Sequence, residues 1–393
     1  MNAIEVKDSK SIKEFLEFPV RLYKGDKHWI RPLDNDIEKV FNEKENKYFR
    51  HGECIRWVFT NDNGETIGRA AAFINKKGLK SKNSEGQELI TGGMGFFESI
   101  EDKDVAFGIF DQCAAWLKER DCNVMEGPIN FGERDNWWGL LYEGFDIDPN
   151  YCMPYTKQYY IDFFESYGFQ DYFQQHTFGR LVNDEMAPKY YDKAARIQNN
   201  PKYTFATLKM ADLEKYTEDF RTVYNKAWVL HAGVKEMSSL QAKSIMKQMK
   251  PILDPDILYF AYYENEPVAF FFNLMDVNQM IRSFNGKLNW VNKLRFVFQK
   301  MMKTNKKMVG RGFGIVPEHQ GKGLEGAIVM YCRKIVQEEI RGRYIEYEMN
   351  WIGDFNPKMI KVASTIGDVI KRHVTYRKML DPNLVFERCK VIK

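Results

Sequence analysis

Residues 315–327 read Ile-Val-Pro-Glu-His-Gln-Gly-Lys-Gly-Leu-Glu-Gly-Ala and lie between a predicted strand and a long predicted helix. Gly321 and Gly323 allow the backbone to turn tightly and to approach a ligand without a Cβ atom in the way. The N–H groups that open the following helix, together with Lys322, favour an anion. We therefore predict a diphosphate-binding loop here.

Composition and charge exclude several classes of protein. With 393 residues, 44% of them hydrophobic and 28% charged, the chain is a globular protein of more than one domain. Its 58 basic and 54 acidic residues are mostly interleaved, so nucleic acid is not expected as the primary partner. No run is apolar enough to cross a membrane, so stable membrane insertion is not expected.

The six cysteines show no CxxC pair and no zinc-ligand spacing. We therefore expect no metal site and no disulfide framework. The N-terminal segment lacks the pattern of a secretory signal. These features together predict a reduced, cytoplasmic protein, and the sequence gives no indication of its oligomeric state.

The order of predicted elements repeats along the chain. A hairpin at residues 54–75 has a counterpart at 257–275, and in each half a strand, a helix, a strand, a helix and a last strand follow. This order predicts an α/β protein with similar domains at 1–183 and 202–393, joined by a connector at 184–201.

The glycine loop resembles the Gln/Arg-x-x-Gly-x-Gly/Ala signature of the GNAT acyltransferases, with Gln320, Gly321, Lys322 and Gly323 fitting in order. Glu325 stands where the last Gly or Ala is usual, although a glycine and an alanine follow at once. The resemblance implies two tandem GNAT-like domains, each a mixed, mostly antiparallel sheet flanked by helices.

The same resemblance implies that the second half binds acetyl-CoA or another acyl-CoA. Backbone amides of the strand before the loop would polarise the thioester carbonyl. The implied coenzyme-binding residues are Gly314, Ile315, Val316, Gln320, Gly321, Lys322, Gly323, Leu324, Gly326 and Asn356.

The closing helix of the family is also similar, because Asn356, Met359 and Gly367 fall at its spacing. In many members a tyrosine of that helix protonates the coenzyme thiolate. Ala363 holds this position here, with Ser364 beside it. Ser364 or a water molecule is therefore the predicted substitute acid.

A general base is predicted on the preceding strand, where Glu346, Glu348 and Asn350 alternate onto one face. The resemblance implies that this strand separates from its neighbour to admit the thioester. Glu348 is thus the first candidate to take a proton from an attacking amine, and Glu318 is the second. The alternative is that Glu346 and Glu348 form a solvated strand face.

The first half lacks the loop. Its equivalent strand ends at residues 96–98, and the acidic stretch 99–104 that follows would repel a pyrophosphate. We predict that this half does not hold coenzyme and shapes the substrate cleft.

An aromatic insertion from residue 127 onward is either a packed loop at the domain interface or an acceptor pocket. The predicted acceptor-binding residues are Asn130, Arg134, Trp137, Trp138 and Tyr155.

The predicted function is transfer of an acyl group, most simply acetyl, from acyl-CoA to a small-molecule amine. The alternative is a non-catalytic GNAT-fold protein that binds coenzyme or a partner, and a third possibility is an aminoacyltransferase that uses charged tRNA. The basic stretch 300–307 is interpreted as a solvated face, with contact to anionic lipid as its alternative.

Overall fold

A computed structural model describes residues 1–186, 188–228 and 236–392. The strands are β1 Asn2–Glu5, β2 Gly52–Thr60, β3 Thr66–Asn75, β4 Lys80–Lys82, β5 Glu88–Ser99, β6 Val124–Gly127, β7 Leu140–Glu143, β8 Gln170–Leu181, β9 Tyr203–Thr207, β10 Leu258–Tyr263, β11 Glu266–Met275, β12 Lys307–Ile315, β13 Glu346–Gly353 and β14 Asp368–Met379. The helices are α1 Ser9–Leu22, α2 Asp34–Phe41, α3 Lys103–Lys118, α4 Tyr160–Tyr167, α5 Pro188–Gln198, α6 Leu213–Trp228, α7 Ser239–Met249, α8 Val277–Ile281, α9 Trp290–Met301, α10 Leu324–Lys334 and α11 Pro357–Ala363.

One sheet runs through both halves, in the order β1-β2-β3-β5-β6-β14-β8-β13-β12-β11-β10-β9. The order is symmetric about its centre. From one end it runs β1, β2, β3, β5, β6 and β14, and from the other end the corresponding strands are β9, β10, β11, β12, β13 and β8. In each half one pair is parallel, β5 with β6 and β12 with β13, and the other pairs along this path are antiparallel. The predicted α/β fold, with a mixed and mostly antiparallel sheet in each half, is confirmed.

The two halves exchange strands at the centre of the sheet. β8, which ends the first half of the chain, pairs with β13 of the second half. β14, which ends the second half, pairs with β6 of the first, and β8 and β14 pair with each other. The predicted division near residue 183 therefore separates segments of the chain but does not separate the sheet.

The parallel strands part from each other in both halves. β12 and β13 pair only as far as Gly310 and Met349, after which β12 continues against β11 and β13 continues against β8. β5 and β6 likewise pair only as far as Gly93 and Glu126. The strand separation that the family resemblance implied is thus present twice.

Some predicted boundaries differ from the structure. The sequence pattern predicts a strand over residues 123–131, but β6 ends at Gly127 because Pro128 has no N–H group to donate to the sheet. The helix predicted over 324–340 is α10 to Lys334, followed by a π-helical turn at Ile335–Glu339.

Each half has its own apolar core. In the first half α3 packs Ile109 and Leu117 toward Phe97 and Met94 of the sheet, and in the second half α10 packs Ile328 in a corresponding cluster. Among the described residues, no helix has both the length and the apolar character needed to cross a membrane.

Candidate functional site

The glycine loop of the second half has the backbone of an anion-binding turn. Gly321 and Gly323 have φ of 70° and 98°, a left-handed conformation that strains residues with a Cβ atom. Gly323 is the N-cap of α10, and no side chain caps this helix. Because the first-turn amides have no acceptor within the helix, they can donate to an anion.

Two side chains of the loop contact its own backbone. Glu325 Oε1 accepts a hydrogen bond from the Gly321 N–H at 3.1 Å. Gln320 Nε2 donates to the Ile315 carbonyl oxygen at 2.8 Å, which ties the loop to the end of β12. A carboxylate of the chain therefore occupies one amide of the predicted pyrophosphate site.

Other predicted residues of the second half occupy varied settings. Asn356 caps α11, its side chain accepting from the Met359 N–H at 3.2 Å. Ser364 is exposed at the end of α11, and its Oγ donates to the Lys361 carbonyl oxygen at 3.2 Å. Glu318 is exposed in the short turn after β12. Their coenzyme-binding and catalytic roles stay predictions.

Glu348 is buried in a cluster of charges, with 3% of its surface exposed. Lys307 Nζ donates to its Oε1 at 3.0 Å, and Lys371 Nζ donates to its Oε2 at 2.6 Å. Burial raises the pKa of this carboxyl group, but Lys371 and Lys307 outweigh burial and hold it below the usual 4.5. A carboxylate held by two ammonium groups is poorly suited to take a proton from an amine, so the geometry does not support the predicted general base.

The Glu348 cluster connects the two halves. Asn150, from the aromatic insertion, donates to Glu348 Oε2 and to Asn350 Oδ1, both at 2.7 Å. Lys371 of β14 also donates to the Asp148 carbonyl oxygen at 2.9 Å. The solvated-face alternative describes the exposed Glu346 and is wrong for Glu348.

A cleft lies in the first half, where β5 and β6 part. It is bounded by α1, α2, the end of β5 and the insertion. Most of its lining is apolar or aromatic: Leu16, Pro19, Trp29, Ile30, Pro32, Ile37, Phe96, Phe97, Pro128, Trp137, Pro149, Met153, Pro154 and Tyr155.

Glu98 is a buried carboxylate in the lining of this cleft, 7% exposed. The hydroxyl groups of Tyr23 and Tyr160 each donate to its Oε2 at 2.9 Å. Its nearest cation is Arg69, with Nη2 3.7 Å from Oε1. Burial raises the pKa of Glu98 above its usual 4.5, although Arg69 and the two tyrosines oppose the increase.

The second carboxylate of the cleft is more fully paired. Arg31 donates to both oxygens of Asp34, at 3.1 and 3.2 Å, and Lys287 donates to Asp34 Oδ2 at 2.8 Å. Glu98 is held by two tyrosine hydroxyl groups and one guanidinium group 3.7 Å away, so it is the less fully paired carboxylate that a cationic group entering the cleft would meet.

The structure brings two of the five predicted acceptor residues to the cleft, Trp137 and Tyr155. Trp138 is buried in a cluster with Phe173, and exposed Arg134 lies over the Trp138 ring at 5.6 Å. Asn130 is buried outside the lining. Asn130 and Trp138 therefore agree with the packed-loop alternative, whereas Trp137 and Tyr155 agree with the pocket alternative.

Sequence reasoning missed the polar residues of the cleft, namely Tyr23, Arg31, Asp34, Arg69 and Glu98. The one available signal was Glu98, a carboxylate at the end of an otherwise apolar strand. At the start of α3, Asp102 accepts from the N–H groups of Asp104 and Val105 at 2.9 and 3.2 Å, so a carboxylate already caps this helix. That the first half does not hold coenzyme stays a prediction.

A tandem GNAT protein from the clavulanic acid biosynthesis pathway has a similar structure. It aligns with 97% of this chain and 98% of its own, with a TM-score of 0.54 and 9% identity. The chain has a tandem GNAT fold. This likeness shows the architecture, in which the glycine loop of the second half occupies the strand–loop–helix position described above.

Two curated proteins are similar to the tandem GNAT chain along nearly their whole lengths. Protein YghO of Escherichia coli K12 is 25% identical over 387 residues, covering 95% of this chain and 94% of its own. A bacterial ceramide synthase of Caulobacter vibrioides is 24% identical over 388 residues, covering 97% of this chain and 98% of its own. No protein-family model matches the chain. These likenesses support the general class of acyltransferases.

Proposed function

We propose that this protein is an N-acyltransferase that uses acyl-CoA, with the coenzyme on the glycine loop of the second half and the amine in the cleft of the first. The observation that carries the proposal is the pair of left-handed glycines opening the uncapped helix α10 beside separated strands. No atom lies within 4 Å of the place where a Cβ of Gly321 would be, so a diphosphate has room to approach the loop.

The donor would meet this chain at two places. The first-turn amides of α10 and the ammonium group of Lys322 would hold its diphosphate. Acyl-CoA supplies the electrophilic thioester carbonyl when it is bound, and backbone N–H groups of residues 313–315 are the candidates to stabilise the oxyanion. The Val316 N–H donates to the Val268 carbonyl oxygen at 3.0 Å and is therefore not a candidate.

The acceptor side fits an amine with an apolar body. An ammonium group would pair with Glu98, while the rest of the molecule packs against the aromatic lining. The ammonium group would first lose one proton to solvent. Its nitrogen would then attack the carbonyl carbon, the C–S bond would break and the nitrogen would lose a second proton to the departing thiolate, which yields an amide and the free thiol of coenzyme A. The simplest acceptor is a small amine that receives an acetyl group.

A long-chain amino alcohol is the second candidate acceptor. Ceramides are amides of fatty acids with such amino alcohols, and the likeness to the bacterial ceramide synthase extends through both halves of the chain. The predominantly apolar lining of the cleft favours this candidate over small polar amines.

A matrix of donors and acceptors tests the proposal. The purified protein is incubated with acyl-CoAs from acetyl to long-chain, each with short and long-chain amines, while thiol release and amide formation are followed. We expect amide formation for at least one pair. Coenzyme binding without thiol release from any pair would instead favour the non-catalytic alternative, and no coenzyme binding would contradict the donor assignment.

Replacing Gly323 with alanine is expected to weaken acyl-CoA binding about tenfold, because a Cβ at positive φ costs about 1–2 kcal/mol and displaces the amides. Calorimetric titration of the coenzyme measures the effect. Gly342→Ala is the control for backbone strain, since Gly342 shares the positive φ of Gly323, 76° against 98°, and lies outside the loop. Equal losses of affinity in both variants would mean that Gly323 is not part of the binding loop.

Replacing Glu325 with glutamine is expected to strengthen acyl-CoA binding about threefold, in the opposite direction to the glycine variant. The change removes a negative charge that accepts from the Gly321 N–H, and a charge at a helix N-terminus affects anion binding by about 0.3–1 kcal/mol. The same titration measures it. Weaker binding by Glu325→Gln would show that the carboxylate organises the loop and does not compete with the phosphate.

A further inference from the structure

Helix α9 presents an apolar stripe to solvent. Trp290, Leu294, Phe298 and Met301 are 72%, 61%, 62% and 74% exposed. Their spacing places them on one side of the helix, together with Val297. So large a set of neighbouring exposed apolar side chains marks a binding surface.

The helix is fixed with this stripe facing outward. Asn289 caps it by accepting from the Asn292 N–H at 2.9 Å, and Asn292 Nδ2 donates to the Lys287 carbonyl oxygen at 2.7 Å. On the inner side Phe296 packs against the buried cluster that contains Leu33 and Phe284. The outer stripe is therefore an ordered surface of the protein.

Basic residues surround the stripe. Residues 277–317 contain nine Lys and Arg and no Asp or Glu, so the remaining 352 residues carry 49 basic and 54 acidic side chains. The net positive charge of the chain thus belongs to the segment that carries α9. Lys307 is buried, whereas Lys293, Arg295 and Lys303 are exposed on or directly after the helix.

We propose that α9 docks the protein on the surface of an anionic lipid membrane. The apolar stripe would enter the boundary between headgroups and acyl chains, and the lysines and arginine would meet lipid phosphates. A second copy of the chain is a poorer occupant, because two copies paired through this face would bring together two segments of uniformly positive charge.

The surface is connected to the cleft of the first half. Lys287, three residues before α9, donates to Asp34 in the cleft lining, and the Asp34 N–H donates to the Gly286 carbonyl oxygen at 2.9 Å. Docking through α9 would therefore hold this wall of the cleft near the lipid. The proposal does not depend on acyl transfer, although a long-chain acceptor would reach the cleft from there.

Vesicle co-sedimentation tests the docking surface. We expect the protein to bind phosphatidylcholine vesicles that contain phosphatidylglycerol, and to bind pure phosphatidylcholine vesicles or high-salt samples about tenfold less. A variant with Leu294→Asp and Phe298→Asp should lose binding to the anionic vesicles. Leu240→Asp is the matched control, since Leu240 is 81% exposed on α7, and it should bind as the unaltered protein does.

Thermal unfolding verifies that the variants remain folded, which is expected because the replaced side chains are exposed. Absence of vesicle binding by the unaltered protein, or equal binding by the double variant, would overturn the proposal. Light scattering supplies a further outcome: a dimer that the double variant dissociates, without vesicle binding, would identify the stripe as a protein interface and would also overturn it.

Discussion

Replacing Glu348 with alanine is expected to lower the free energy of unfolding by about 3–5 kcal/mol, the usual cost of removing one partner from a buried ion pair. Among the described residues, the substitution would leave buried Lys371 without an ion-pair partner, and would leave Lys307 with Asp276, 3.6 Å away, as its ion-pair partner. Urea unfolding followed by tryptophan fluorescence measures the change in midpoint.

Glu346→Ala is the control, because Glu346 lies two residues away on the same strand and is exposed. Its loss should change stability by no more than about 0.5 kcal/mol. A double variant, Glu348→Leu with Lys371→Met, removes both charges and should be less destabilised than Glu348→Ala. Equal stability of Glu348→Ala and Glu346→Ala would contradict the buried cluster and would return Glu348 to consideration as a catalytic base.

The free energy of unfolding that Glu348 contributes should decrease as the pH is lowered. Its folded-state pKa is lowered, so the contribution is fully present above the ordinary carboxyl pKa of 4.5 and is lost as pH falls through the folded value. The difference in stability between the unaltered protein and Glu348→Ala should therefore shrink on acidification below pH 4.5.

Replacing Glu98 with glutamine is expected to lower kcat/KM for the amine about a hundredfold, since losing one partner of a desolvated charge pair costs about 2–5 kcal/mol. This expectation rests on the proposed acceptor cleft. Glutamine can still accept from Tyr23 and Tyr160, but buried Arg69 loses its ion-pair partner, so thermal unfolding is used to verify that the variant remains folded. Steady-state kinetics at varied amine concentration measures the effect, and exposed Glu101→Gln is the control.

The pH profile distinguishes a cleft carboxylate from a structural one. The raised pKa of Glu98 means that the group gains a proton at a higher pH than an ordinary carboxyl, and the neutral form cannot pair with an ammonium ion. Amine KM should therefore rise as pH falls, beginning above pH 4.5, and Glu98→Gln should lack this step. An unchanged KM in the variant would remove the amine from this cleft.

Local patterns were sufficient to predict most of the fold. Gly321 and Gly323 identified the loop that opens α10, and the turn at residues 61–64 identified the hairpin of β2 and β3. Such features depend on neighbours in the chain, where a left-handed glycine or an alternation of apolar residues has a direct structural cause. The exchange of β8 and β14 could not be predicted in this way, because pairing of distant strands leaves no mark on either segment.

The candidate site also contains one part that is local in the sequence and one part that depends on contacts between distant segments. The anion loop is one continuous segment and was visible in the sequence. Arg69 of β3 and Glu98 of β5 line the cleft, and Tyr23, which follows α1, donates to Glu98. Only folding brings these three residues together. Glu348 shows the converse, since the alternation that suggested an accessible base could not reveal that Lys307 and Lys371 converge on it.

The exchanged strands also constrain how the chain is assembled during translation. β6 can pair with β14 only after residues 368–379 have left the ribosome. β13 pairs with β8, which is synthesised much earlier. A nascent first half therefore carries an open sheet edge, the kind of surface that recruits stray strands from other chains. The apolar core of that half is also incomplete at this stage, because Val374 and Tyr376 of β14 belong to the same cluster as Ile109 and Leu117. Slow synthesis or premature release of the second half would therefore favour aggregation.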